Sequence, residues 1–227
     1  MSNGNKLNED IHEDWLLNEH QQWEEYDDQN SAPTEIFKLY KSNTNLMNYY
    51  YFLGVFGADT INKILSLISQ HRFIDGNITT TVDPSYRRSK VQWILRSKES
   101  YFLYRIIMWY AIKANQTMWN FDITNALESI QYAEYHAEQE GFYDWHVDVG
   151  TTSLSASRKL TIVVQLSGVD EYEGGELCIR PSRTEYECPK EAGTIIVFPS
   201  YILHKVKPVT RGIRKSLVIW LHGPSFK

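Results

Sequence analysis

Two side chains that can bind a metal ion, His146 and Asp148, lie two residues apart in "FYDWHVDVG" (142–150). The aromatic and β-branched residues around them predict a buried strand, and side chains two apart in a strand point to the same face. A buried imidazole and carboxylate are costly unless they bind an ion or form a hydrogen-bond network. The pair therefore predicts half of a metal site or a polar network, with Trp145 and Val147 on the opposite face.

A third candidate ligand, His204, follows His146 by 58 residues and ends "GTIIVFPSYILH" (193–204). That segment predicts a strand followed by a Pro-Ser turn. Two imidazoles and one carboxylate on one face of an iron ion leave three positions open, as in non-haem Fe(II) oxygenases. Zinc can take the same three ligands with a water molecule, so the ligand set alone leaves both metals open.

A candidate anion receptor follows in "HKVKPVTRGIRKSLVIW" (204–220), where Arg214 and Ser216 are two residues apart. A guanidinium and a hydroxyl on one face of a strand form a good receptor for a carboxylate. No acidic residue is close to Arg214 in that strand, so we expect Arg214 to face an anionic ligand, whereas Arg211 and Lys215 point outward. The letters "VTRG" (209–212) predict a turn between two strands.

The stretch from Tyr132 to Trp220 resembles the Fe(II)- and 2-oxoglutarate-dependent dioxygenases, and among them the prolyl-4-hydroxylase-like branch. The motifs that carry the resemblance are "WHVD" (145–148), "YEGGEL" (172–177) and the whole of 193–220. It implies that Fe(II) and 2-oxoglutarate are both bound. The implied Fe(II) ligands are His146, Asp148 and His204. The implied contacts to the distal carboxylate of 2-oxoglutarate are Arg214, where many relatives have Lys, and Ser216.

A tyrosine before the HxD pair often touches the co-substrate in this branch. Tyr135 is the first candidate here, although its separation from His146 is longer than usual, as if "HAEQEG" (136–141) carried a small insertion. Tyr143 is the second candidate. The resemblance therefore implies one tyrosine contact to 2-oxoglutarate without choosing between the two.

The reaction implied by the resemblance is hydroxylation of a prolyl residue in a peptide or protein. Dioxygen is consumed, 2-oxoglutarate is decarboxylated to succinate and carbon dioxide, and ascorbate is the expected reductant. The segment "RRSKVQW" (87–93) resembles the Arg-x-Ser strand that faces the active site in these enzymes. Arg87, Ser89, Trp93 and Tyr143 are therefore candidate substrate contacts. A core position for Trp93 and a surface position for Arg87 are the alternatives.

Two other functions are compatible with parts of this pattern. An oxidative demethylase of nucleic acid would need basic strips and a second arginine beyond Arg214, and "KSLVIWLHGPSFK" (215–227) contains none. A non-catalytic, cupin-like metal-binding module would have no need of Arg214. We therefore expect a peptide or protein partner and no nucleic acid, and the sequence leaves the oligomeric state open.

The elements that must position these residues change character along the chain. Residues 57–71 predict an amphipathic helix capped by Asp59 or Thr60, and 101–115 predict a buried helix that is apolar nearly all round. Seven short β-rich segments follow between about residue 125 and residue 221. Helices first and strands afterwards predict an α+β fold, a double-stranded β-helix (jelly roll) braced by N-terminal helices.

Composition separates an N-terminal leader from the rest of the 227 residues. Residues 1–35 contain ten acidic residues and one lysine, a charge of −9, so the remainder is +4 within a total of −5. We expect an acidic leader over 1–35, which could shield a basic groove, and a single dioxygenase domain over 36–227. Segments 76–88 and 149–159 are candidate lids over the substrate.

The chain has no run of about 18 apolar residues, so no membrane span is expected. Its two cysteines, Cys178 and Cys188, favour a reducing compartment and a cytoplasmic protein. They could face each other across a hairpin, but two buried thiols are the favoured interpretation.

Overall fold

A computed structural model describes residues 49–69, 74–75 and 84–224 of the chain. The predicted leader, residues 1–35, and most of the first candidate lid, residues 76–83, lie outside the described residues. The division of the chain at residue 35 therefore stays a prediction. Within the described residues, no helix is long and apolar enough to cross a membrane.

Three α-helices and one 3-10 helix lie within the described residues: α1 Ala58–Ile68, α2 Tyr101–Met118, α3 Ser153–Ala156 and the 3-10 helix Ala137–Gln139. Helix α1 buries Ile61, Ile64 and Ile68, as its spacing predicts. The predicted side-chain cap is wrong, because the chain enters the helix two residues before Asp59, through an extended Gly57 that has no side chain to offer. Helix α2 buries one stripe rather than its whole circumference.

Thirteen strands are present in the described part of the chain, and all seven predicted β-rich segments contain one. Their bounds are β1 Tyr50–Phe52, β2 Ile74–Asp75, β3 Arg87–Arg88, β4 Lys90–Ile94, β5 Ile130–His136, β6 Phe142–His146, β7 Arg158–Gln165, β8 Tyr172–Gly174, β9 Leu177–Arg180, β10 Tyr186–Glu187, β11 Ile195–Pro199, β12 Leu203–Val206 and β13 Val209–His222.

These strands form two antiparallel sheets. The major, eight-stranded sheet has the order β1-β11-β7-β13-β5-β4-β2, with β8 also paired to β13, and the minor sheet has the order β10-β9-β12-β6-β3. The core lies between them and takes inward residues from both, such as Ala133 and Val163 from the major sheet and Ile179 and Val206 from the minor one. Helix α1 packs against β4, and helix α2 packs against β1, β7 and β11. The fold is a jelly roll braced by helices, as predicted.

The predicted turn at "VTRG" is wrong, because residues 209–212 belong to the 14-residue strand β13. This part of β13 pairs with β8, and the register shifts between Val209 and Arg211. Gly212, with φ of +70°, lies just beyond this shift, where a Cβ would collide with the carbonyl oxygen of Glu171. A continuous, irregular strand therefore uses a glycine that a turn could also use, so residue types alone do not distinguish the two.

Both cysteines are free thiols buried in the protein, as the favoured interpretation predicts. Strand β10 pairs with β9 so that Glu187, not Cys188, lies opposite Cys178. Burial raises the pKa of the Cys178 thiol to about 12. The thiols are therefore protonated and poorly reactive at neutral pH.

Candidate active site

A cavity of about 500 Å³ opens between the two sheets. Nine of the ten residues predicted as site residues line it: His146, Asp148, His204, Arg214, Ser216, Tyr135, Tyr143, Arg87 and Trp93. Ser89 does not line the cavity. The two sheets therefore bring together residues that are up to 129 positions apart, from Arg87 to Ser216.

The three candidate metal ligands lie together at one end of this cavity. One ligand atom from each of His146, Asp148 and His204 lies within 4.8 Å of the others. The Nδ1 atom of His146 is 2.7 Å from the carbonyl oxygen of Asp144, and Nδ1 of His204 is 2.8 Å from that of Ile202. A ring nitrogen that donates to a carbonyl leaves the other nitrogen, Nε2, free as a ligand. The donor set therefore fits a divalent metal ion.

Strand pairing positions the two imidazoles, but Asp148 is positioned differently from the prediction. His146 on β6 is directly opposite His204 on β12. Strand β6 ends at His146, so Asp148 lies just beyond it and outside the ladder. Its backbone N–H donates to the carbonyl of Ser200 (2.9 Å), and its Oδ2 accepts from the Thr161 hydroxyl (2.7 Å). Hydrogen bonds to Ser200 and Thr161, rather than strand pairing, therefore position Asp148.

Because β6 ends at His146, the prediction that Val147 packs on the opposite face of the strand is wrong. Its side chain is 44% exposed and lines the rim of the cavity instead of packing on the opposite face. Trp145 does lie on the outer face of the minor sheet, where the Arg180 guanidinium and the Lys205 ammonium lie 4.2 and 4.4 Å from its ring.

Burial sets the charge states of the ligands. Burial first, and the neighbouring His204 second, lower the pKa of His146 to about 3. Burial opposes ionisation of Asp148, but the attraction of His204 and His146 outweighs it and lowers the pKa of that carboxyl. Neutral imidazole and ionised carboxylate are the forms that bind metal ions, so His146 and Asp148 are in their binding forms at neutral pH.

A bulge in β6 brings Tyr143 to the same face as His146. His204 pairs with His146 while Val206 pairs with Tyr143, so three steps on β6 match two on β12. Regular alternation would send side chains three apart to opposite faces. The Tyr143 ring instead stacks on the His146 ring, with centroids 3.5 Å apart and planes inclined by 14°.

Arg214 occupies a second, deeper part of the cavity. It is 1% exposed, its Nη1 donates to Ser216 Oγ (3.2 Å) and its Nη2 donates to Gln165 Oε1 (2.5 Å). Its Nε is buried without a hydrogen-bond partner, and no carboxylate among the described residues pairs with it. The Tyr135 ring lies 5.4 Å from the guanidinium. A buried cation without a counterion fits an anionic ligand.

Gln165 and Tyr172, which lie behind Arg214, were not predicted as site residues. Gln165 faces Arg214 and donates from Nε2 to the Tyr172 hydroxyl (2.9 Å). The signal for Gln165 is a single amide in the apolar strand "KLTIVVQLS" (159–167). The "GG" of "YEGGEL" also has a physical reason, because a Cβ on Gly175 would lie 3.1 Å from Arg214 Cδ.

The Arg-x-Ser segment lies at the edge of the minor sheet. Arg87 is 6% exposed, donates from Nε to Ser89 Oγ (2.7 Å) and from Nη2 to Gln131 Oε1 (3.0 Å), and lies 4.6 Å from the Tyr143 ring. Ser89 therefore supports Arg87. Trp93 is half-buried and lies at the cavity wall beside Trp220, with ring centroids 6.4 Å apart.

A buried ionic network beside Asp148 was also missed. The Arg158 guanidinium donates to both carboxylate oxygens of Glu128 (2.7 and 2.5 Å) and to the backbone carbonyl of Asp148 (3.0 Å). His222, 1% exposed, completes it, with Nε2 3.2 Å from Glu128 and Nδ1 2.9 Å from Ser157 Oγ. Its members come from separate segments, so spacing in the sequence carries no signal for it.

The second candidate lid does lie at the rim of the cavity. Thr151, Thr152, Leu154 and Ser155 line it, and the short helix α3 lies within this segment. Whether the segment closes over a substrate stays a prediction.

Comparison with known proteins identifies the family. Residues 130–222 match the model of the 2OG-Fe(II) oxygenase superfamily. A PKHD-type hydroxylase of Synechococcus sp. (strain JA-2-3B'a(2-13)) is 30% identical over 169 residues, which cover 72% of this chain and 73% of the relative. The chain belongs to the 2OG-Fe(II) oxygenase superfamily. A PKHD-type hydroxylase of Stenotrophomonas maltophilia (strain R551-3) is 41% identical to the oxygenase over 87 residues, 37% of this chain and 39% of the relative.

The fold of the oxygenase is also found among solved structures. A prolyl hydroxylase from Trichoplax adhaerens, solved with a peptide fragment of the hypoxia inducible factor oxygen degradation domain, superposes with a TM-score of 0.67 at 18% identity. The match covers 78% of this chain and 84% of that protein. The oxygenase is an enzyme that depends on Fe(II), 2-oxoglutarate and dioxygen. The zinc and non-catalytic alternatives are therefore set aside.

Proposed function

We propose that the oxygenase hydroxylates a prolyl residue of a peptide or protein, with decarboxylation of 2-oxoglutarate to succinate and carbon dioxide. The observation that carries the proposal is a buried guanidinium without a counterion, Arg214, in the same cavity as a two-His, one-Asp ligand set. The PKHD-type hydroxylases and the prolyl hydroxylase that resemble the chain support this reaction class.

We assign Fe(II) to Nε2 of His146, a carboxylate oxygen of Asp148 and Nε2 of His204. When bound there, the iron with 2-oxoglutarate supplies the activation of dioxygen that hydroxylation requires. The carbonyl oxygens of Asp144 and Ile202 hold the two rings in one tautomer and one orientation. The protein therefore presents its ligands already in place.

Arg214 and Ser216 are assigned to the distal carboxylate of 2-oxoglutarate. Gln165 accepts a hydrogen bond from Nη2 and so orients the guanidinium from behind. Tyr135, beside the guanidinium, is the better placed of the two tyrosines for a contact to 2-oxoglutarate. Tyr143 lies between His146 and Arg87, where it would separate the metal from the peptide.

The substrate is assigned to the open side of the cavity. Arg87, Trp93 and Tyr143 form one wall, and the exposed apolar side chains of Val147 and Leu154 form part of the rim. An apolar rim excludes water and suits a pyrrolidine ring and its neighbours. Two buried, free thiols agree with a reducing compartment such as the cytoplasm.

Succinate formation tests the proposal directly. The full chain with Fe(II), ascorbate and 2-oxoglutarate should release succinate and add one oxygen atom to a proline-containing peptide. His146→Ala and Asp148→Ala should abolish both, and Arg214→Ala should raise the 2-oxoglutarate KM by about tenfold or more, because a charge-assisted hydrogen bond is lost. His136→Ala is the matched control, since His136 pairs with Glu134 outside the cavity (2.7 Å).

Mass spectrometry distinguishes the substrate classes. Oxygen added to proline supports the proposal, whereas loss of methyl from a methylated oligonucleotide would identify a nucleic-acid demethylase instead. An unchanged 2-oxoglutarate KM in Arg214→Ala would remove Arg214 from its assigned role.

A further inference from the structure

Among the described residues, the charged side chains that line the cavity do not balance. They are three arginines and two acids: Arg87, Arg158, Arg214, Glu128 and Asp148. Fe(II) adds two positive charges and 2-oxoglutarate adds two negative charges, so the loaded cavity keeps the formal charge of +1 that its side chains carry. Within the described part of the chain, one positive charge in the cavity therefore remains without an opposite charge.

Contacts identify which arginine carries that charge. Arg158 is neutralised by Glu128, with two N–O distances of 2.7 and 2.5 Å. Arg214 is assigned to the distal carboxylate of 2-oxoglutarate, and Asp148 is assigned to the metal. Arg87 is the arginine that remains.

The acceptors that hold Arg87 are all neutral. Its Nε donates to a serine hydroxyl and its Nη2 to the amide oxygen of Gln131, and its face lies over the Tyr143 ring. Among the described residues it forms no ion pair, and Nη1 has no hydrogen-bond partner. Nη1 and the second hydrogen of Nη2 are therefore available for a carboxylate approaching end-on.

The neighbouring Arg88, unlike Arg87, is partly exposed and has an acidic partner. Its side chain is 38% exposed and lies 3.3 Å from Glu140, on the face away from the cavity. A surface arginine keeps its hydration, whereas a guanidinium that is 94% removed from solvent loses most of it. Unpaired buried charge is costly, and an anion that arrives with the substrate would offset that cost.

We propose that Arg87 binds a carboxylate of the substrate, so that the oxygenase selects acidic peptides. The proposal rests on the prolyl hydroxylase function proposed above and names its substrate class. The carboxylate would come from an Asp or Glu side chain beside the hydroxylated proline, or from a C-terminus that closely follows it. Arg87 is then a specificity-determining residue, and Ser89 and Gln131 are its positioning residues.

A library of proline-containing hexapeptides tests the selection. In matched sets, one position near the proline is Asp, Glu, Asn or Gln, and each peptide is made with a free or an amidated C-terminus. We expect kcat/KM for the best acidic peptide to exceed that of its neutral isostere by about tenfold or more, as for a hydrogen-bonded charge. The position and the terminus that show the effect identify the source of the carboxylate.

Variants assign the preference to Arg87. Arg87→Gln should reduce the acidic-to-neutral ratio toward one, and Arg87→Lys should keep part of it because the charge remains. The ratio is taken within each variant, so a general loss of activity or of folded protein cancels. Arg88→Gln, one residue away on the outer face, should keep the wild-type ratio.

Equal turnover of acidic and neutral peptides by the wild-type protein, in both terminal forms, would overturn the proposal. So would an undiminished ratio in Arg87→Gln. Failure of the underlying function gives a different result, because the wild-type protein would then form no hydroxylated proline from any peptide in the library.

Discussion

At the scale of single residues, Asp148 depends on side chains that are not ligands themselves. It lies beyond the end of β6, and its Oδ2 is held by the Thr161 hydroxyl at 2.7 Å, which also lies 3.0 Å from Ser200 Oγ. Partners of this kind orient a ligand, and losing one typically costs about 10- to 100-fold in metal affinity. The Thr161–Asp148 contact should therefore matter for metal binding more than for the fold.

Thr161→Val keeps the shape of the side chain and removes the hydroxyl. We expect it to weaken Mn(II) binding by about tenfold, since Asp148 can then rotate away from the imidazoles. Isothermal titration with Mn(II) measures the change without turnover. Thr210→Val, on an exposed part of β13, is the control. Equal Mn(II) affinity in Thr161→Val and the wild type would show that the backbone alone holds Asp148.

Residues were predictable where their chemistry is unusual in its setting. Ionisable side chains in apolar strands, such as His146, His204 and Arg214, stand out because burial needs a reason. Gln165 stands out less, because an amide is tolerated in many environments. The position of Tyr143 depends on a bulge in β6, and a bulge is a property of two paired strands that neither sequence shows alone.

At the scale of elements, the connection between β8 and β9 shapes the space around Arg214. Gly175 has φ of +63°, and a Cβ there would lie 2.8 Å from Val209 Cγ2 and 3.1 Å from Arg214 Cδ. Left-handed backbone costs a non-glycine residue about 1–2 kcal/mol. A side chain at position 175 would also push against Arg214 and so disturb the site assigned to 2-oxoglutarate.

Gly175→Ala should therefore raise the 2-oxoglutarate KM as well as lower stability. Gly54→Ala is a matched control, because Gly54 also has φ of +63° and a Cβ there has no heavy atom within 4 Å. The two variants share the backbone strain, so the difference between them reports the crowding against Val209 and Arg214. Equal KM values for the two variants would show that Arg214 tolerates the extra methyl group.

Element types followed from the sequence more reliably than element ends. Apolar runs bounded by Gly, Pro and Ser predicted the strands, because that pattern reflects burial of a whole segment. The end of β6 before Asp148 and the continuation of β13 through Gly212 depend on pairing partners distant in the chain. Such partners are set by tertiary packing, which local propensity does not contain.

At the scale of the whole molecule, a double sheet was predictable and its strand order was not. Many short β-rich segments predict two packed sheets, but neighbouring strands within each sheet come from distant parts of the chain. Strand β3 at Arg87–Arg88 pairs with β6, more than 50 residues later, and this pairing carries Arg87 to the cavity. The Glu128–Arg158–His222 network likewise ties together three segments that no local pattern connects.

That network should contribute to the stability of the entire fold. Burial alone would raise the pKa of Glu128, but the close contacts of its carboxylate with His222 and Arg158 outweigh burial and lower the pKa below its usual range. Side-chain exposures of 11% and 16% for Glu128 and Arg158 make the pair nearly buried. Removing one partner of a buried pair typically costs about 3 kcal/mol or more.

Glu128→Gln should therefore lower the free energy of unfolding by about 3 kcal/mol at pH 7. A carboxyl whose pKa is lowered by folding stabilises above its unfolded pKa, about 4.3 for glutamate, and loses that contribution as pH falls through the folded pKa. The gap between wild type and variant should thus be full at pH 7 and shrink below about pH 4.3. Urea unfolding across this pH range measures the gap. Glu173→Gln is the control, because the Glu173 and Arg211 side chains are 62% and 53% exposed. An exposed ion pair of this kind should contribute less than about 1 kcal/mol to the free energy of unfolding. A gap that stayed constant with pH would show that Glu128 acts through packing rather than through its charge.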